Sequence, residues 1–449
     1  MSSWLLMGLP GVAYLTGIAD AGWTAIGLGI GTYLNWLIVA QRLRRYSIIC
    51  NAITIPDFFS RRFKDDKNIL MCISAIIILI FFIPYTASGF KAIGTLFSSL
   101  FGTDYHIAMI IGAVVIVGYT VMGGFMAVST TDLIQSVVMS ISLIVIVFYG
   151  IHMAGGWNEV VNNATSLAGY LSMTQLHDRA AASAAPYSLF SIISTLAWGL
   201  GYFGMPHILL RFMAIEEEKK LVLSRRIATV WVLISMCVAI LIGIIGYGAS
   251  VAGSIPMFTT SSQSETVIIQ FAHLLGQNGF LLSLIAGVVL AGILACTMST
   301  ADSQLLTAAS GVSQNLLQDF LKIKMSTAAS MNAARFTVMG IAIVAVFLAW
   351  NPDSSVFTIV SGFGASFGPL VLFALFWRRT NMQGALAGML TGGIMVFVWK
   401  YLVRPLGGNF NIYELLPAFI LSCLAIIIVS LLTKEPSKEI YDEFDSLGK

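Results

Sequence analysis

The stretch LACTMSTADSQLL, residues 294–306, crowds oxygen-bearing side chains into an otherwise apolar run. Ser299, Thr300, Asp302 and Ser303 fall within five positions. On a helix, Ser299 and Ser303 are one turn apart, so Ser299, Thr300 and Ser303 can share a face with the carbonyl of Cys296. A small hard cation is held by several oxygens, and hydroxyls together with a released carbonyl can supply them. The plainer alternative is that each hydroxyl bonds back to its own helix. A second candidate is STTDLIQSVV, where Asp132 lies about two turns into a long apolar helix. A carboxylate in such a place faces a bundle interior or a water-filled path. Alternatively it sits near the helix start, favoured there by the helix dipole.

Two further stretches carry backbone chemistry. AWGLGYFGMPH places Gly199, Gly201, Gly204 and Pro206 within eight residues, which a regular helix hardly survives. Unwound backbone there offers N–H and C=O groups to a zwitterion, and Trp198 and Tyr202, at i and i+4, offer it a flat apolar wall. An aromatic pair packed around a proline kink is the competing account. The opening SWLLMGLPG, with Trp4, Gly8, Pro10 and Gly11, reads as a half-helix with a break. The two Gly/Pro-broken elements are about 195 residues apart, a plausible period for repeats of about five spans. Paired broken helices are the best sequence pointer to a transport site at the membrane midplane.

The elements that must position these residues are membrane helices. Of 449 residues, 57% are apolar and 10% charged, against about 25% charged in a soluble domain; mean hydropathy is +0.88. Runs such as NILMCISAIIILIFFIPYTASGF and LPAFILSCLAIIIVSLL are long enough, or nearly so, to cross a hydrocarbon core as helix. They lack the period-two alternation of a barrel strand. The sequence predicts an all-α integral membrane protein with eleven full spans near 21–42, 70–98, 105–122, 126–154, 186–212, 222–250, 278–308, 334–350, 355–378, 383–402 and 413–433. Residues 3–17 form a further, shorter element. If the loop around 43–69 is cytoplasmic, alternation places twenty of the 24 Lys and Arg residues inside, together with the C-terminus. The net charge of +3 asks for no nucleic acid, and the five cysteines show no CxxC spacing. Phosphate-binding loops, HExxH and nucleophile–base constellations are not seen, which argues against an ATP-driven pump and against an enzyme. Gly384, Gly388 and Gly392, at four-residue spacing, suggest a close helix-packing face.

YTVMGGFMAVSTTD, AWGLGYFGMPHILLRFMA, LACTMSTADSQLL, NAITIPDFF and MQGALAGM together resemble the sodium:solute symporters, over nearly the whole chain. The likeness is greatest to members that carry proline. It implies a LeuT-type bundle of two inverted five-helix repeats within a domain spanning 1–435. The first repeat would be 1–154, the second 186–378, with extra helices over 383–433 and a short cytoplasmic tail at 436–449. It implies a plasma-membrane protein that takes up proline or a close analogue with sodium. Carried over to this sequence, sodium would meet the Cys296 carbonyl, the Ser299 and Thr300 hydroxyls and a carbonyl at Met1. Asp132 would lie on the sodium path, and Asp302 and Ser303 could add a second cation site with it, or Asp302 could take up a proton. Substrate would meet Trp4, Tyr85, Trp198, Tyr202 and Pro206. The family has a further helix and the first half of the broken helix before the position of Met1. That predicts either a start assigned too late or a shortened, inactive product. A membrane sensor is the remaining alternative, although the segment after Lys434 is too short for a signalling domain.

Overall fold

The computed structural model of the chain describes residues 3–352 and 363–447. The first element, α1 (Trp4–Thr16), is apolar and too short to span; Trp4 through Gly8 are fully packed inside the bundle. The expected break at Gly8–Gly11 does not occur. The backbone widens instead to a π-turn over Trp4–Gly8, ahead of Pro10. A wider turn relieves the clash of the proline ring with the preceding turn and tolerates its missing N–H.

Gly17, at φ +88°, turns the chain into α2 (Ile18–Ile49). The short α3 (Ile55–Arg62) is capped by the Thr54 hydroxyl, which accepts from the Asp57 N–H. Two long helices follow, α4 (Ile69–Phe101) and α5 (Tyr105–Met153). Within α5, Gly124 adopts φ 66°, ψ −174°, so this element is two helices joined at a glycine, as the separate spans 105–122 and 126–154 anticipate. After α6 (Trp157–Ser166) the chain forms a hairpin, β1 (Gln175–Asp178) against β2 (Ser183–Pro186). Arg179 at its turn donates from Nε to Leu15 O (3.1 Å) and from Nη2 to Tyr14 O (2.8 Å), satisfying carbonyls at the end of α1.

The second broken span is α7 (Leu189–Gly204) and α8 (Pro206–Ala214), bent by 46°. Then come α9 (Lys220–Val251), the buried α10 (Val267–Gly276), α11 (Phe280–Phe320), α12 (Thr327–Leu348), α13 (Phe363–Phe376), α14 (Met382–Leu406) and α15 (Leu415–Leu432). Among the described residues, eight helices are long and apolar enough to cross a membrane, or nine with the bent pair. Two of the eleven expected spans are merged in α5, and the one at 355–378 is described only from Phe363.

Lipid tails give helices little hydrophobic reason to associate, so close packing must do it. The glycine face of α14 shows how. A Cβ on Gly384 would lie 1.9 Å from Ser430 Oγ of α15, and one on Gly392 would lie 2.0 Å from Ala365 O of α13. The tail closes as α16 (Lys438–Ser446), which seats Phe444 on the guanidinium groups of Arg42 (5.1 Å) and the buried Arg62 (5.4 Å). Lys64 ties it down through Glu439 (3.1 Å) and Glu443 (2.5 Å).

Candidate functional site

The span α7–α8 breaks where the glycines accumulate. Rather than unwinding, Ala197–Gly204 tightens to a 3-10 helix, Met205 is extended (φ −75°, ψ 106°), and Pro206 restarts the helix as α8. Pro206 suits the first helical position because its absent N–H would be unpaired there anyway. It is buried but does not line the cavity described next; its neighbours Met205 and His207 do. In a 3-10 helix, residues four apart point roughly 120° from one another. Trp198 and Tyr202 therefore face different sides of that cavity instead of forming one wall.

The cavity, of about 350 Å³, lies among α1, α2, α4, α5, α7, α8, α9, α11 and α13, with the start of α15 closing one side. Trp4, Tyr85, Trp198 and Tyr202 line it, as do Asp132, Ser299, Thr300 and Ser303. The sequence thus brings eight of its twelve candidates to one space. Cys296 and Asp302 are fully buried just behind its wall, and Met1 lies outside the described residues.

One end of the cavity is ionic. On α11 the hydroxyls of Ser299 and Thr300 approach the Cys296 carbonyl at 3.3 and 3.4 Å, and Ser303 Oγ reaches Ser299 O at 3.2 Å. The helix runs unbroken through these residues, so the Cys296 carbonyl is not released by a kink as expected. The hydroxyls come to it instead, and all are oriented as back-bonds. Each hydroxyl oxygen keeps lone pairs with which to meet a cation. Facing them, Arg211 of α8 donates through Nη2 to Asp132 Oδ2 and to Ser303 Oγ (2.9 Å). Asp132 Oδ1 is buried and has no hydrogen-bond partner among the described residues. Behind them, Asp302 is held by neutral donors, the Tyr119 hydroxyl at 2.8 Å and the Ser303 N–H at 2.5 Å.

The other end is aromatic. Trp198 stacks with Trp4 (centroids 5.3 Å, 24°) and with Tyr413 (4.9 Å, 9°). Asn35 of α2 donates from Nδ2 to Tyr202 O (2.8 Å), holding a carbonyl of the 3-10 segment, while its own Oδ1 is buried without a partner among the described residues. Asn35, Arg211, Tyr119 and Tyr413 are functional candidates that the sequence reading missed. Arg211 was legible only as a basic residue at a span end. Asn35, a lone amide in the apolar run GTYLNWLIVA, carried the clearest overlooked signal.

A helical bundle with a sharply broken span, α7–α8, beside a central cavity that is polar at one end and aromatic at the other fits the architecture of a secondary transporter. Residues 1–392 match the Sodium:solute symporter family, and the chain belongs to it. It is 40% identical over 454 residues to the osmoregulated proline transporter OpuE of Bacillus subtilis, covering all of this chain and 88% of that relative. It is 40% identical over 457 residues to a sodium/proline symporter of Haemophilus influenzae, with the same coverage. A Staphylococcus aureus sodium/proline symporter is 39% identical over 97% of this chain and 84% of its own. Among solved structures, a Na+-coupled sialic acid symporter in a substrate-bound, outward-open state shares the fold. Its TM-score is 0.75 at 17% identity, covering 98% of this chain and 88% of that one. Mhp1, a nucleobase-cation-symport-1 family transporter, aligns with a TM-score of 0.55 at 14% identity, covering 99% and 93%. The all-α, LeuT-type reading is borne out: the protein is a multi-pass membrane transporter, not an enzyme.

Proposed function

We propose that this transporter couples sodium entry to uptake of proline or a close analogue across the cell membrane, with its C-terminus on the cytoplasmic side. The observation that carries the reading is one cavity with the Ser299 and Thr300 hydroxyls at one end and Trp4, Tyr85, Trp198 and Tyr202 at the other. The names of its relatives agree. Proline combines a compact apolar ring, suited to aromatic walls, with a carboxylate and an ammonium. The start of α8, beside His207 and Ile208, presents the positive end of a helix dipole to the carboxylate. The unpartnered Asn35 Oδ1, on a residue that lines the cavity, is an acceptor for the ammonium.

Sodium at the Ser299 and Thr300 hydroxyls and the Cys296 carbonyl of α11, together with the carbonyl expected at Met1 ahead of α1, ties these two elements together and favours the arrangement in which substrate binds. Substrate then permits closure, and sodium leaves past Asp132. Residues 1–154 and 186–378 serve as the two repeats. Each ligand must raise the affinity for the other by the same factor, because the coupling is one free energy.

The test is labelled-proline uptake into proteoliposomes as sodium is varied. A cation–hydroxyl contact is comparable to a hydrogen bond to a charged group, so Ser299→Ala or Thr300→Ala should raise the sodium concentration for half-maximal uptake by about tenfold or more. Unaltered sodium dependence in both variants would refute the ion-site assignment.

A further inference from the structure

We propose that Tyr413 is a size-selecting wall of the substrate cavity, contributed from beyond the two repeats; this rests on the proposed uptake of proline-like substrates. Tyr413 precedes α15, lies outside the 1–392 stretch matched by the family, and lines the cavity. Its ring is nearly parallel to that of Trp198 at 4.9 Å. Such a stack is worth about 0.5–1.5 kcal/mol beyond the area it buries, so Trp198 is held in place by Tyr413 as well as by Trp4.

The segment that carries this ring is anchored three times. The Tyr413 N–H donates to Ser194 Oγ of α7 at 2.6 Å. Glu414, whose side chain is 2% exposed, pairs with Arg404 at 3.2 Å and with Lys400 at 3.9 Å, both on α14. Leu415 fills the space above two glycines: a Cβ on Gly364 would sit 2.8 Å from Leu415 Cδ1, and one on Gly201 would sit 3.7 Å from Leu415 Cδ2. Burying a carboxylate is costly, and its two cations only offset that cost. What the arrangement achieves is position: residues 413–415 are wedged between the 3-10 turn of α7 and the start of α13. A rigid flat ring so fixed bounds the space that a substrate ring can take beside the stacked Trp198–Tyr413 pair. A five-membered ring is admitted, and a six-membered one meets the wall.

The discriminating pair is therefore L-proline and L-pipecolic acid, which differs from it by one ring methylene. One methylene in a fitted pocket is worth roughly tenfold or more in selectivity. Sodium-driven uptake of both is measured for wild type, Tyr413→Phe, Tyr413→Ala and Tyr413→Leu, normalised to transporter in the membrane. Tyr413→Phe keeps the ring and should keep the wild-type ratio of KM values. Tyr413→Ala should raise the proline KM by about 2- to 12-fold, the loss of one stack. It should also erode the preference over pipecolic acid by about tenfold, with the sodium half-saturation little changed. Tyr413→Leu, which keeps an apolar filler beside Trp198, should move the ratio the same way and guards against an alanine variant that fails to fold. A wild-type ratio in both truncated variants, or parallel loss for both substrates, overturns the assignment. Wild type that carries no proline would strike the functional reading itself, and the Tyr413 assignment, which rests on it, would fall with it.

Discussion

The two ends of the cavity are built by opposite means. The ionic end is assembled from side chains on α5, α8 and α11 that reach toward one another: Asp132, Arg211 and Ser303. The aromatic end is assembled by backbones brought into contact, with rings standing on them. Gly199 of α7 lies against Gly27 and Gly31 of α2, where a Cβ on Gly199 would be 2.1 Å from Gly27 O. Gly204 lies against Phe363 O and the Gly368 N–H of α13, at 2.5 and 2.6 Å from its hypothetical Cβ. A site made of reaching side chains fails when a charge is removed, and a site made of touching backbones fails when a methyl is added. In the proposed cycle, the first belongs to the part of the cavity assigned to binding and releasing a cation. The second belongs to the part that must keep its shape.

The largest effect is expected at the ionic end. The side chains of Asp132 and Arg211 are 14% and 37% exposed, so their attraction is only partly screened. Asp132→Asn or Arg211→Gln should each lower the initial rate of proline uptake by about 10- to 100-fold, as loss of a charged hydrogen bond implies. The double variant should lose little more than either single one, since both remove the same pair. If the two losses multiply, the pair is not a unit and the comparison breaks.

At the aromatic end, Gly199→Ala should cost about 1–3 kcal/mol of stability through overpacking. That would be seen as a lower melting temperature in detergent, with the sodium half-saturation of surviving protein unchanged. Gly201→Ala is the internal control, because its new Cβ meets its nearest neighbour, Leu415, at an ordinary 3.7 Å. Equal damage from both alanines would mean that the 3-10 conformation, and not the close approach to α2, is what the glycines serve.

The same division decides what the sequence discloses. Ser299, Thr300, Asp302 and Ser303 are legible because a single helix turn brings them together, so spacing alone is geometry. The break before Pro206 is legible because glycine and proline act locally, although its form, a tightened 3-10 turn, depends on α2 and α13 pressing from both sides. Pro10 misleads for a related reason: a π-turn absorbs it inside a buried helix, and no local rule anticipates that. Arg211 hides because basic residues at a span end ordinarily face the headgroups, and only the 46° bend turns it inward to Asp132. Tyr413 hides because its partners, Trp198 and Ser194, lie more than 200 residues earlier. An aromatic at the start of an apolar span looks like an interfacial anchor. The helices themselves follow from composition, and their glycine contacts were foreseen at Gly384–Gly392, where the four-residue spacing falls on one face.

The smallest effect sharpens the comparison by repeating the chemistry outside the cavity. Glu218, in the loop between α8 and α9, accepts from Arg45 Nη2 at 2.7 Å and Nε at 2.9 Å, a two-point guanidinium–carboxylate pair where Arg211 meets Asp132 through Nη2 alone. The hydrogen bond from Arg45 holds the Glu218 carboxyl below its usual range. A depressed carboxylate contributes stability above its unfolded pKa of about 4.3 and loses it as pH falls through the folded value. The two side chains are 42% and 33% exposed, so water and salt screen the pair. Glu218→Gln should cost no more than about 1 kcal/mol near neutrality and less in high salt. The difference from wild type should begin to shrink as pH falls below about 4.3 and vanish only once pH is below the depressed folded value, where Glu218 is itself protonated. Uptake and its sodium dependence should not move, because neither residue touches the cavity. An uptake defect in Glu218→Gln as deep as that of Asp132→Asn would show that the pairing matters wherever it occurs, and that the ionic end of the cavity owes nothing special to its place.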